Sequence, residues 1–351
     1  MSVPEIAVPE LPEAPGELRL FELPPEQPEG ARPAVWKPAA PRRQAPRARR
    51  RRPPPLLLAV DGNALAHRVW HAVGGDGAPE LDATERFLTV LARLASAART
   101  TACVIGFDDP GRSVRRELHP DYKAQRPAKS RLLVRFLAEL PVLLGELGLC
   151  VVVPPGLEAD DVLGSAAELA HRRGVPATLV TGDRDSFALV SQTVNVLLLG
   201  NGGSTSRVSP SWLGSRYGID PGAYADFAAM RGDTSDNLRG VRGIGEMTAA
   251  RLLAAYPSVA AALADQAGLT RLLGPYLASV LVDQHEVFLR NREVMRIRTD
   301  VALDLDACVS PLARQAVAEV LAGRGLEDLT DRLLRGFAAL GRAAWRAPLP
   351  S

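Results

Sequence analysis

Leu56-Leu57-Leu58-Ala59-Val60-Asp61-Gly62-Asn63 decides how the rest of the chain is read: an apolar run, one acid, then a glycine turn. The run has the length of a buried strand, and the acid stands where the strand ends. The arrangement returns along the chain. Thr101–Phe107 runs into Asp108, Leu149–Val153 leads through a Pro-Pro-Gly loop to Glu158-Ala159-Asp160-Asp161, and Ala177–Thr181 leads to Gly182-Asp183-Arg184-Asp185. A further run covers Val194–Leu199, with a turn expected at Asn201-Gly202-Gly203. Helix-length segments lie between them at Ala83–Ala98, Leu132–Leu147, Glu158–Arg173 and Asp185–Val190. Strand alternating with helix predicts an α/β fold, a central and mostly parallel sheet flanked by helices, over residues 56–208. From Ser209 the pattern is helical to about Leu340, which predicts an α-helical subdomain over 209–340 and a short tail over 341–351.

With Asp233 and Asp236, which introduce a glycine-rich turn, the acids form five clusters: Asp61, Asp108, Glu158/Asp160/Asp161, Asp183/Asp185 and Asp233/Asp236. Taken singly each has an ordinary explanation. Asp-Gly turns are common, Asp109 precedes a proline and can simply shape its turn, and acids in a first helical turn complement the helix dipole. Three acids at Glu158–Asp161 exceed what a cap requires, and Glu158 and Asp161, three apart, share a helix face. In an open parallel sheet, groups at the carboxyl ends of the strands meet in one crevice. So many carboxylates cannot stay ionised together without cations. Hard oxygen ligands in this number suit two Mg²⁺ or Mn²⁺ ions, a clamp for phosphoryl displacement.

Between the second strand and the helix near Leu132, a basic segment at 110–135 carries Arg112, Arg115, Arg116, Lys123, Arg126, Lys129, Arg131 and Arg135, opposed only by Glu117 and Asp121. An acidic pocket repels phosphodiesters, so a nuclease needs such a basic cover; a solvated charged helix is the plainer alternative. Tyr122 within it is placed to stack on a base. Gly240-Val241-Arg242-Gly243-Ile244-Gly245 reads as a hairpin between two helices, either a plain corner or a backbone grip on phosphate. A net charge of +2 conceals residues 1–55, proline-rich, acidic over the first thirty residues and only basic from Arg32 to Arg52. That composition predicts disorder, as a solvated tail or an arm adding non-specific nucleic-acid affinity. No apolar run approaches the roughly 20 residues needed to cross a bilayer. Three distant cysteines (Cys103, Cys150, Cys308) give neither a disulfide framework nor a zinc spacing, and fit a reducing cytoplasm.

Together these residues resemble the 5′ nuclease superfamily, in particular the N-terminal 5′-to-3′ exonuclease domain of bacterial DNA polymerase I. The resemblance is carried by Val-Asp-Gly at 60–62, Phe-Asp at 107–108, Asp-Tyr-Lys-Ala-Gln-Arg at 121–126 and Glu-Ala-Asp-Asp at 158–161. It continues through Thr-Gly-Asp-Arg-Asp at 181–185, Gly-Asp-Thr-Ser-Asp-Asn at 232–237 and Gly-Val-Arg-Gly-Ile-Gly-Glu at 240–246, and spans about Leu56 to Leu340. It implies a PIN-like catalytic domain followed by a helix–three-turn–helix unit. It also implies one metal held by Asp61, Asp108, Glu158, Asp160 and Asp161, and a second held or oriented by Asp183, Asp185, Asp233 and Asp236. Lys123 and Arg126, with Arg115, would steer and polarise the scissile phosphate from a flexible helical arch. The hairpin at Gly240–Gly245 would grip DNA and hold K⁺ through its carbonyls. Members often carry a basic residue where Met247 stands, so a phosphate contact is expected to be missing. No polymerase or proofreading domain follows, so a freestanding nuclease is expected, with its acid set intact. The expected function is metal-dependent 5′-3′ exonuclease or flap endonuclease action on DNA with 5′ ends or flaps. The alternatives are a PIN-like ribonuclease and a DNA-binding recruitment protein with weak catalysis.

Overall fold

The computed structural model describes residues 55–200, 203–343 and 345. All but the last residue of the tail expected at 1–55, the turn residues Asn201 and Gly202, and most of the C-terminal tail lie outside the described residues. The apolar runs become strands because both of their faces are covered. In β1 (Leu57–Asp61) and β2 (Ala102–Gly106), alternate side chains enter two different hydrophobic clusters. Leu57, Ala59, Ala102 and Val104 face one way, and Leu58, Val60, Cys103 and Ile105 the other. A strand buried on both faces reads as continuous apolar sequence.

Helices α1 (Gly62–Ala72) and α2 (Glu80–Ala98) follow β1, and α3 (Val114–Leu118) and α4 (Arg131–Glu146) follow β2. Next come β3 (Val151–Val152), α5 (Ala159–Arg173), β4 (Ala177–Thr181), β5 (Val194–Leu199) and β6 (Thr205–Val208). The sheet order is β3-β2-β1-β4-β5-β6, parallel except for β6, which pairs antiparallel with β5. The chain winds outward from β1 in one direction and then from β4 in the other, so the switch point lies between β1 and β4. One face carries α1, α2 and α4, and the other carries α5.

Three local expectations need correction. Leu149–Val153 pairs only at Val151–Val152, because this edge strand has β2 alone as a neighbour. Residues 185–189 form a 3₁₀ turn rather than an α-helix. The expected turn after β5 leads into another strand, whose Ser206 and Arg207 face solvent and so lack an apolar run.

The second half builds α6 (Pro210–Tyr217), α7 (Tyr224–Arg231), the two-stranded ribbon β7 (Gly232–Asp233) and β8 (Leu238–Arg239), and α8 (Glu246–Ala255). It continues with α9 (Val259–Ala264), α10 (Gln266–Leu273), α11 (Pro275–Asp283) and α12 (His285–Val294). Their cores extend the cluster on the α5 face. Helix α13 (Leu305–Val309) packs Cys308 against Cys150 on that same face. The last helices do not belong with them. In α14 (Arg314–Ala322) and α15 (Thr330–Gly336), Val317, Leu321 and Leu333 join the core of α1, α2 and α4. Gly336 lies so close to Ala92 of α2 that a β-carbon there would strike its backbone. The helical subdomain expected over 209–340 therefore gives residues 314–340 back to the first layer. Helical periodicity identifies an apolar stripe but not the core that receives it.

Candidate active site

The acids gather where the strand order places a crevice, at the carboxyl ends of β1 and β4. Asp61 is the last residue of β1 and the N-cap of α1. Its Oδ1 accepts from the Ala64 amide at 2.8 Å and its Oδ2 from the Thr181 hydroxyl at 2.8 Å, tying the ends of β1 and β4 together. Gly62 is required beside it, since a β-carbon would collide with the buried Phe107 ring. Asp108 follows β2, and its Oδ1 accepts from the Ala159 amide at 2.9 Å, so it anchors the start of α5. Asp160, in the first turn of α5, is half-buried, and its buried Oδ1 has no hydrogen-bond partner. Asp183 follows β4, and its Oδ1 accepts from the Asp185 amide at 2.8 Å.

Burial and mutual repulsion dominate the electrostatics. Burial, then Asp108 and Asp183, push Asp61 up to about 7. Asp160 lies well above the usual carboxylate range through burial and the charges of Asp183 and Asp61. Burial also raises Asp108, Asp183 and Asp185, with Asp183, Asp233 and Asp236 adding repulsion at Asp185. The acids from all five clusters therefore sense one another. A buried carboxylate oxygen without a partner, among further buried and half-buried acids, fits a hard divalent cation. Among the described residues no three acids or histidines meet in ready metal-ligand geometry, so ions would complete their shells with water or substrate oxygen, as Mg²⁺ commonly does.

Three expected site residues have other work. Asp161 is inaccessible to solvent. Its oxygens accept from Arg115 Nη1 and Nη2 at 2.8 and 2.9 Å, from the Glu158 amide at 2.9 Å and from the Arg298 amide at 2.9 Å. It has no lone pair left for an ion, which corrects its assignment as a ligand. Arg115 is buried with it and also donates to the carbonyls of Val294 and Arg296, so it is not a free phosphate-steering cation. Tyr122 is buried against Leu238 and Val294 and donates its hydroxyl to Glu158 Oε2 at 3.1 Å, which removes it as a base-stacking surface.

Lys123 and Arg126 do face the site. Lys123 Nζ stands 2.9 Å from Glu158 Oε2, and Arg126 Nη2 stands 2.5 Å from Asp236 Oδ1. Burial alone would raise Glu158, but Lys123 and Arg115 hold it below the usual range. Burial works against the Lys123 ammonium, yet Glu158 and Asp236 hold it above the usual lysine range. The strap carrying them is pinned to the β7–β8 ribbon. The Lys123 amide donates to the Asp236 carbonyl at 3.0 Å, and Gln125 Nε2 to the carbonyls of Thr234 and Ser235. Lys123, Arg126 and Lys129 line a cleft of about 1720 Å³ together with Asp61, Asp108, Glu158, Asp160, Asp183 and Asp233. Of the other basic residues, Arg112 pairs with Glu117 and Arg135 with Glu80.

Sequence reading missed part of the cleft wall: His67, Arg68, Arg184 and Arg231 all line it. Arg68 donates to the Gly200 carbonyl and packs against Gly182, beside Asp183. Burial, then Lys129, lower His67 to about 4, so its imidazole is neutral at ordinary pH. The available signal was the position of His67 and Arg68 on the helix that Asp61 caps.

At the hairpin, Val241 and Ile244 are buried and Arg242 and Gly243 exposed. The Val241 amide donates to the Met230 carbonyl at 2.8 Å, and the Arg242 amide to Gln284 Oε1 at 2.8 Å. Gly243 has φ +77°, a conformation side chains rarely adopt, and a β-carbon on Gly240 would meet the Arg231 carbonyl. No side chain caps α8, so its first amides stay open to an anion. Met247 beside them is 86% exposed.

Two family models match consecutive parts of the chain. The 5′-3′ exonuclease N-terminal resolvase-like domain matches residues 56–218, and the 5′-3′ exonuclease C-terminal SAM fold matches residues 219–316. The chain belongs to the 5′-3′ exonuclease family. Among curated relatives of this family member, DNA polymerase I of Mycobacterium tuberculosis H37Rv is 33% identical over 296 residues, covering 82% of this chain and 32% of the relative. Thermostable DNA polymerase I of Thermus aquaticus is 34% identical over 252 residues, covering 71% and 29%. The chain thus spans about a third of the length of the relatives it matches. In fold it is similar to the T5 5′-exonuclease with bound divalent metal ions (zinc), at TM-score 0.58 and 19% identity, covering 82% of this chain and 99% of that one. It is also similar to human GEN1 in complex with Holliday junction DNA, at TM-score 0.55 and 16% identity, covering 81% and 72%. Among the described residues no helix is long and apolar enough to cross a membrane.

Proposed function

We propose that this protein is a divalent-metal-dependent nuclease that removes nucleotides or flaps from the 5′ ends of DNA. One observation carries the reading. Asp61 is buried and Asp108, Asp160 and Asp183 half-buried around the β1/β4 switch point, all with raised pKa values, and they share one cleft with Lys123, Arg126 and Lys129. Asp61, Asp108, Glu158 and Asp160 would hold one Mg²⁺ or Mn²⁺. Asp183 and Asp185, with Asp233 and Asp236 directly or through water, would hold or orient a second. Bound divalent ions lower the pKa of water and neutralise charge on the leaving oxygen, which is the chemistry the site requires.

The chain's own residues do the rest. Lys123 and Arg126, fixed by Glu158 and Asp236, offer positive charge to a phosphate lying over the acids and stabilise charge that develops there. Arg68 and Arg231 supply further positive charge along the cleft wall. The open amides of α8 and the Gly240–Gly245 hairpin hold the duplex by its phosphates without reading bases, and the hairpin's carbonyls would accept K⁺. The three free thiols suit a cytoplasmic setting.

The test uses a flap duplex carrying a label on its 5′ strand. Magnesium-dependent release of short 5′ fragments, abolished by a chelator, is the expected result. Equal cleavage of an all-RNA flap duplex would favour a ribonuclease, and binding without cleavage would leave a recruitment protein.

A further inference from the structure

We infer that Arg115 and Asp161 are positioning residues that fix the distance between the hairpin grip and the carboxylate site, and so determine where on the DNA strand cleavage falls. The inference rests on the nuclease reading, and it begins from the bonds already counted. Asp161 offers about four acceptor sites, and all are filled from three parts of the chain: Arg115 in α3, the start of α5, and Arg298 beyond α12. Arg115 returns the tie through Nε to the Val294 carbonyl at 3.1 Å and through Nη2 to the Arg296 carbonyl at 3.2 Å. The base of the basic segment, the metal-bearing helix and the exit of α12 therefore share one buried junction.

The junction extends along α5. At Gly164 a β-carbon would collide with the Arg298 carbonyl and fall 2.6 Å from Ile297, so the chain after α12 lies directly on the helix. One residue further, Ser165 Oγ accepts from the Val301 amide at 2.9 Å.

Helix α12 carries the connection outward. At its start, Gln284 Oε1 accepts from the Arg242 amide of the hairpin. In its middle, buried Asn291 Nδ2 donates to the carbonyls of Arg239 and Ala229, at 2.8 and 3.0 Å. At its end, Val294 is held by Arg115. A helix of this length is a rod of about 15 Å. One end of the rod touches the grip, and the other is bolted to the helix that bears Glu158 and Asp160. A guanidinium fork suits the junction because it binds a carboxylate with two parallel bonds and still reaches carbonyls, which an ammonium cannot do.

The experiment compares Arg115→Lys and Asp161→Asn with the full wild-type chain on one flap duplex, reading product lengths at single-nucleotide resolution. Amide exchange over residues 296–301 is read separately in chelator, where it does not depend on nuclease activity. In both variants, cleavage is expected to spread over neighbouring positions, with exchange at 296–301 about tenfold faster and duplex affinity within about threefold of wild type. If Arg115→Lys keeps the product lengths and the exchange of wild type, Arg115 is a simple cation and the inference fails. It also fails if Asp161→Asn loses a bound Mn²⁺ while its exchange is unchanged, because Asp161 is then a ligand. Should Asp161→Asn not fold, Ser165→Ala removes the Val301 tie and the hydroxyl's bond to the Asp161 carbonyl while leaving the Arg115 fork in place, and must show the same changes to a smaller degree. Absence of cleavage by wild type overturns the nuclease reading, and the exchange result then still judges the junction.

Discussion

Replacing Asp61 by Asn should make the metal-free protein more stable while abolishing cleavage. Asp61 is pushed from 3.8 to about 7, and each unit corresponds to about 1.36 kcal/mol, so its ionised form costs the metal-free fold about 4 kcal/mol above neutral pH. Asn keeps the acceptor for the Ala64 amide and remains a good N-cap. It loses one acceptor for the Thr181 hydroxyl, a cost of about 1 kcal/mol. The net gain of about 3 kcal/mol corresponds to a Tm higher by roughly 6–12 °C for a domain of this size.

The pH dependence has a definite sign. A carboxyl whose folded pKa is raised contributes stability that is complete below its unfolded value and is lost as pH rises through the folded one. Wild type in chelator should therefore weaken between about pH 4 and pH 7, and Asp61→Asn should weaken less, so their Tm curves separate as pH rises. Thermal unfolding followed by circular dichroism in chelator, then repeated with divalent ion, measures both. Ion should restore wild type more than the variant. Equal Tm values at pH 8 in chelator would refute the claim that uncompensated acids strain this crevice.

Asp183→Ala and Asp160→Ala should each abolish cleavage with DNA binding retained; single-turnover cleavage within about threefold of wild type in either would remove it from the metal site. Lys123→Ala and Arg126→Ala should lower the saturated single-turnover rate, whereas Arg242→Ala should mainly weaken binding, and a pure affinity effect in all three would make the strap a mere charged surface. Gly240→Ala, whose methyl must displace the Arg231 carbonyl, should weaken duplex binding in a gel-shift assay while leaving metal-dependent stabilisation intact. A chain starting at Pro53 should bind flap DNA with a shallower salt slope, by roughly 0.7–0.9 for each phosphate contact removed, and keep the same saturated rate; identical slopes would leave the arginine-rich stretch without a role in binding.

The sheet and most of its acids were legible because β1, β2 and β4 are each a mainly apolar run with a carboxylate at or just beyond its end. The signal failed where local sequence carries no partner information. Asp161 and Asp160 are adjacent and chemically identical, yet one is filled by Arg115 and Arg298, distant in sequence, and the other is left bare. Tyr122 reads as a stacking residue in a basic segment until Leu238 and Val294 are found against its ring. The strand Thr205–Val208 was invisible because a solvated edge needs no apolar run, and β3 was overdrawn because apolar length does not guarantee a pairing partner. His67 and Arg68 belong to the cleft only through the direction in which α1 leaves Asp61.

The contact between Gly336 and Ala92 has a consequence for how the molecule comes apart. Because α14 and α15 complete the core begun by α1, α2 and α4, the helices from α6 to α12 form an insertion whose two ends are both anchored in the nuclease layer. The family match ends at Ala316, yet a fragment stopped there would leave Leu88, Leu91 and Ala95 of α2 without Leu329, Leu333 and Phe337. Such a fragment should expose an apolar face and aggregate. The intact chain should melt in one cooperative transition, since neither half can unfold and leave the other with a finished interior.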